Sequence, residues 1–150
     1  MSKDMSSALA RVRDSARVLN QLCDEAAESV RALEEFLANE CSVGIEASVI
    51  VWSDSDSYHH ESINLCYDRW ASGFRVLVEW EDTQMPEAER KPWAECRRED
   101  KLLTLPKLLG LIEAIENEIN SRVEEARKAI AEIKKLTSVT TKAGEQNATK

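Results

Sequence analysis

The chain has 150 residues, 43% of them hydrophobic and 32% charged, which is one domain's worth of globular sequence with enough apolar side chains for a real core. Twenty-eight acidic against 20 basic residues give a net charge of −8, which argues against a generic nucleic-acid binder or a binder of anionic membranes. Four glycines and three prolines are too few for an all-β sandwich with many tight turns.

Residues 1–20 hold no apolar run of the kind that makes a secretory leader, and no stretch approaches a membrane helix. The cysteines at 23, 41, 66 and 96 form no CxxC pair. Reduced thiols in a cytoplasmic protein are the expectation.

The first element is a helix over about residues 4–39. Met5, Leu9, Val12, Ala16, Leu19, Cys23, Ala26, Val30, Leu33 and Leu37 follow one another in alternating steps of four and three. This is a heptad seam with no Gly or Pro to interrupt it. Residues 43–51 alternate instead, with Val43, Ile45, Ala47, Val49 and Val51 on one side of a half-buried strand. The polar run 53–62 reads as a loop. Residues 63–69 and 74–80 then form a hairpin around Ala71-Ser72-Gly73, with Gly73 expected to take the positive φ. A three-stranded antiparallel meander is the simplest arrangement.

Residues 81–92 form a charged connector with two prolines. Residues 93–103 read as a short helix started by Pro92, or as an edge strand. Leu105, before Pro106, is expected to leave the αR region. A second long helix over about 106–137 carries Leu108, Ile112, Ile115, Ile119, Val123, Ala126, Ile130 and Ile133 on one stripe. Residues 138–150, small, polar and β-branched, read as a disordered tail. The fold class is therefore α+β: one α-β-α domain over 1–137, with a helical hairpin stalk and a β head. That order of long helix, β hairpin and long helix is similar, in layout alone, to prefoldin-type chaperone subunits.

A helix of some 36 residues is about 54 Å long, whereas seven-residue strands span about 23 Å, so the sheet covers only part of either stripe. The charge distribution suggests what covers the rest. Residues 4–20 carry Arg11, Arg13 and Arg17 against Asp4 and Asp14, a net +1, and residues 21–40 a net −5. The second helix reverses the order, with −2 over 106–120 and +2 over 121–137. A hairpin within one chain sets like against like, whereas a second copy laid antiparallel sets basic against acidic. The expectation is a homodimer that self-associates through Leu9, Val12, Leu19, Val30, Leu33, Ile119, Val123, Ile130 and Ile133.

Motifs with chemistry are scarce. His59 and His60 are the only histidines, with Asp54 and Asp56 nearby; these four come nearest to a metal set. They lack the i, i+4 spacing of a helical zinc site, and the run departs from a calcium loop at Tyr58 and His59. Cys66 points away from Ile63, Leu65 and Tyr67, which would leave its thiol facing solvent, but no protease or transferase motif flanks it. Arg90, Lys91, Arg97, Arg98 and Lys101 form a local basic patch. Trp52, Trp70, Trp80 and Trp93 all fall in or beside the β region. Trp70, at a hairpin turn, is the candidate for partner contact, together with Tyr58, His59 and His60.

Three functions are weighed on these observations. The first is a non-enzymatic interaction or adaptor protein with a protein partner, no nucleic acid, no membrane, no cofactor and no catalytic residue. The second is a small acidic inhibitor that mimics nucleic-acid charge. The third is a metal-dependent or thiol enzyme at His59, His60 and Cys66.

Overall fold

A computed structural model describes residues 2–42 and 44–148, and side chains up to residue 144. Helix α1 runs Lys3–Phe36. It begins where Ser2 accepts the Met5 N–H in its side chain, satisfying one of the free donors of the first turn. It ends in a π turn, Leu37–Cys41, closed by Ser42 in the left-handed region at φ 47°. The expected strand 43–51 starts later, at Ala47; Val43 lies outside the described residues.

Four strands follow: β1 (Ala47–Ser55), β2 (His60–Trp70), β3 (Gly73–Asp82) and β4 (Glu89–Pro92). They form one antiparallel sheet in the order β1-β2-β3-β4. The α+β class and the meander stand, but the sheet has a fourth strand where a connector was expected. Glu89–Pro92 shows no alternation of apolar residues; it pairs because Arg90 and Pro92 lie opposite Glu79 and Leu77 of β3.

The expected polar loop over 53–62 is mostly strand. β1 and β2 pair as far as Ser55 opposite His60, with a bulge at Val51. Asp56 closes the remaining turn by accepting the N–H groups of Tyr58 and His59, each at 2.8 Å. This Asx turn allows two strongly polar strand ends to stay paired. At the β2–β3 turn the residue with positive φ is Ala71, at 53°, and not Gly73. Gly73 is instead the first residue of β3, opposite Trp70.

After β4 a 3-10 turn, Trp93–Glu95, leads to helix α2, Arg98–Thr104. The short helix is thus confirmed over part of its expected range, while Pro92 closes the strand before it. Leu105 is αR, at φ −51° and ψ −44°, contrary to expectation. The break before Pro106 is taken up by a 3-10 turn, Leu105–Lys107. Helix α3 then runs Leu108–Ala148, well into the segment expected to be a tail; residues 149 and 150 lie outside the described residues.

The chain divides into two compact units, Met1–Ile115 and Glu116–Lys150. In the first, Leu65, Tyr67, Val76 and Val78 are buried, and direct pairing sets them on one sheet face. Gly110 at the start of α3 sits against Val49 of the same face. Arg75 of β3 reaches Glu34 of α1 at 3.1 Å. Trp93 is buried, with its indole N–H donating to Thr104 Oγ1 at 3.0 Å. That bond satisfies the polar edge of a large ring inside the core. The second unit is the remainder of one helix, with exposed residues along its length from Asn120 to Gly144.

Candidate functional site

The apolar stripe of α1 divides into two parts. Val30 is 1% exposed and Leu37 is also buried, while Cys23, Ala26 and Leu33 are half-buried. Val30 therefore belongs to the packing of the first unit and not to a free self-association surface. Met5, Leu9, Val12, Leu19 and Leu22 are exposed, Val12 to 65%. The four- and three-residue steps continue through this half, so Met5, Leu9, Val12 and Leu19 share a face with Val30, while Leu22 lies beside that seam. Isolated exposed leucines are ordinary, but a contiguous stripe is the usual mark of an interaction surface. In the second unit Val123, Ile130, Ile133, Leu136 and Val139 are exposed as well, and Ile119 is half-buried.

The residues expected to contact a partner through the β region are not brought together. Tyr58 is 95% exposed at the β1–β2 turn, whereas Trp70 is half-buried at the far end of β2, about 33 Å away along the strand. His59 and His60 are adjacent and half-buried; His59 precedes β2 and His60 is its first residue. Trp52 is exposed and Trp80 half-buried.

The Cys66 thiol does not face solvent. Cys66 is buried, and burial, with Glu79 nearby, pushes its thiol up to about 12. Six strand residues separate it from His60, about 20 Å. A protonated, covered thiol that far from the imidazole forms no nucleophile–base pair with it. Cys96 is likewise buried and pushed up to about 11.

The basic patch disperses on folding. Arg90 donates to Glu79 Oε2 at 2.5 Å and to Asp68 Oδ2 at 2.6 Å, tying three strands together. Asn64 adds a bond to Glu79 Oε1 at 3.2 Å. Burial works to raise the Glu79 and Asp68 carboxyls. The hydrogen bonds they accept outweigh it and hold both below their ordinary values. Arg97 faces Asp100, Arg98 hydrogen-bonds Asn20 of α1, and Lys101 lies over the Trp93 ring at 5.3 Å.

Among the described residues one cluster with ligating chemistry assembles, and it shares only His59 with the set expected from sequence. His59 Nε2 lies 2.6 Å from Asp82 Oδ1 and 3.5 Å from Glu61 Oε1. The hydrogen bond to Asp82 holds the imidazole pKa up; the Gln84 N–H and then His59 hold the Asp82 carboxyl down. Asp56 is occupied by the turn, and His60, whose backbone N–H donates to Thr83 Oγ1 at 3.0 Å, is not among the clustered ligand groups. Asp82 was missed because it is 23 residues away in sequence; only the register of the β2–β3 pair reveals it. Asp82 also lines a cleft of about 500 Å³ with Trp80, Lys91 and Arg97.

The chain matches no family model, no curated protein and no solved structure. Among the described residues, no helix is long and apolar enough to cross a membrane.

Proposed function

We propose that this is a non-enzymatic, cytoplasmic protein-interaction module that self-associates as a homodimer through its long helices and contacts a protein partner through its β region. The observation that carries this reading is the exposed apolar stripe on the first half of α1, from Met5 through Leu19. Covering it removes apolar surface from water at roughly 25 cal/mol per Å². The occupant this proposal commits to is a second copy of α1, laid antiparallel. That orientation sets the residues 4–20 segment, net +1, beside the partner's residues 21–40 segment, net −5. Each exposed pair contributes only about 0.2–1 kcal/mol and weakens with salt. The charges therefore select orientation, while the stripe supplies affinity.

Sedimentation equilibrium of the full chain at micromolar concentration tests it. The expected result is a dimer in low salt that weakens as salt rises. Leu9→Glu with Val12→Glu is expected to give a folded monomer, because both side chains are exposed and contribute nothing to the first unit's core. A monomeric wild type in low salt, or a dimer unaffected by the double substitution, refutes the reading.

A further inference from the structure

We propose that His59, Glu61 and Asp82 form a surface site for one divalent transition-metal ion, with zinc as the matching probe. The placement follows from the register. Glu61 is the direct partner of Asp82 across β2–β3, and Asp54 is the direct partner of Glu61 across β1–β2. Three carboxylates thus stand in one row on one sheet face. Like charges directly opposite one another destabilise a ladder. Among the described residues, the ion pairs of Glu61 and Asp82 are both with His59. Lys91 and Arg97 line the cleft beside Asp82, but the imidazole, carrying at most a single charge, is the group paired with the row itself, and a divalent cation there balances the carboxylates better.

The donor geometry is near what such an ion needs. One ligand atom from each of the three side chains lies within 4.8 Å of the others. Bonds of 2.0–2.2 Å in a tetrahedral site set neighbouring donors about 3.3–3.6 Å apart. His59 Nε2 and Glu61 Oε1, at 3.5 Å, already meet that spacing. His59 Nε2 and Asp82 Oδ1, at 2.6 Å, must open by roughly 0.8 Å to admit the ion. The surroundings hold the frame while this happens. The His59 backbone N–H is fixed by Asp56, and Asp82 Oδ1 accepts the Gln84 N–H at 2.9 Å. One imidazole nitrogen with carboxylate oxygens suits zinc, nickel or cupric ion, whereas magnesium and calcium prefer oxygen alone. Three protein ligands leave a fourth position to water or to a ligand from a partner.

The test is calorimetric titration of Zn²⁺ into the full chain, with the histidine ring nitrogens followed by ¹H–¹⁵N spectroscopy. The expected result is one ion per chain at micromolar affinity, with the ring signals of His59 shifted and those of His60 unchanged. Glu61→Gln and His59→Ala are each expected to weaken binding by at least about tenfold, and His60→Ala to leave it unchanged. Glu61→Gln keeps the His59–Asp82 hydrogen bond, so it separates loss of a ligand from loss of the turn. No binding, or binding that persists in His59→Ala through the free thiols, overturns the proposal. So does a His59→Ala variant that melts earlier with its zinc affinity unaltered, since His59 and Asp82 would then only brace the turn.

Discussion

Replacing Arg90 with Ala tests the central electrostatic feature of the sheet. Glu79 is 6% exposed, and Arg90 holds both it and Asp68. Removing one partner of a fully buried pair costs about 3–5 kcal/mol, because the remaining charge is left in a poor solvent. The Arg90 side chain is 39% exposed, so water screens part of the loss, and roughly 2–3 kcal/mol is expected. The pH dependence carries the sharper sign. In the wild type both carboxyls are depressed, so their contribution is present above the ordinary carboxylate range and is lost as pH falls through the folded values. Without Arg90, burial, which raises the Glu79 carboxyl, is opposed chiefly by the Asn64 hydrogen bond, so the carboxyl moves up from its wild-type position. The variant therefore loses less stability than the wild type as pH falls through the carboxylate range. The gap between the two proteins should narrow on acidification, and Glu79→Gln added to Arg90→Ala should recover part of the loss. Urea unfolding followed by tryptophan fluorescence reads this cleanly, because Trp52, Trp70, Trp80 and Trp93 all lie in the Met1–Ile115 unit. A loss below about 0.5 kcal/mol, the level of an ordinary surface change, or a gap that does not vary with pH, refutes the reasoning.

Three further outcomes follow from single side chains. Ala71→Gly should raise stability by about 0.5–1 kcal/mol in the same urea assay, since it relieves a left-handed alanine, less the entropy glycine loses on folding. Leu111→Ala, at a fully buried position in the first turns of α3, should lower it by about 2–5 kcal/mol. Thr104→Val removes the acceptor of the buried Trp93 N–H and should cost about 1–3 kcal/mol, with a shifted tryptophan emission maximum as its spectroscopic sign.

The elements most legible in the sequence were those with long, regular periods. The heptad steps of α1 and the alternation of Phe74, Val76, Val78 and Trp80 mark a helix and a strand because each pattern repeats for several turns or pleats. The fourth strand was hidden because Glu89–Pro92 lacks that alternation; its side chains are chosen by Glu79 and Leu77 across the ladder. The polar strand ends 53–55 and 60–62 were hidden for a related reason. Asp56 makes a compact turn there, and pairing needs only backbone groups once the turn is set. Leu111 fell off the expected stripe because the step of four from Leu108 to Ile112 passes over it, yet Leu111 is fully buried while Ile112 is exposed. Of the candidate metal residues His59 alone remained. Its partners are defined by strand register, a quantity that composition does not contain.

The division of the α1 stripe follows from lengths. Thirty-four helical residues extend about 51 Å, whereas the 11 residues of β2, the longest strand, extend about 36 Å. A straight helix packed on such a sheet at one end must project at the other, whatever its sequence. A projecting segment with no further role would be free to lose its apolar residues, since each exposed one raises the risk of nonspecific association. The segment instead keeps Met5, Leu9, Val12 and Leu19 in the register of the packed half. The helix thus continues one unbroken seam from the core of the first unit out to its surface. An occupant that follows that seam must itself be helical, with matching four- and three-residue steps. The antiparallel copy of α1 meets that requirement, and its acidic half meets the basic one.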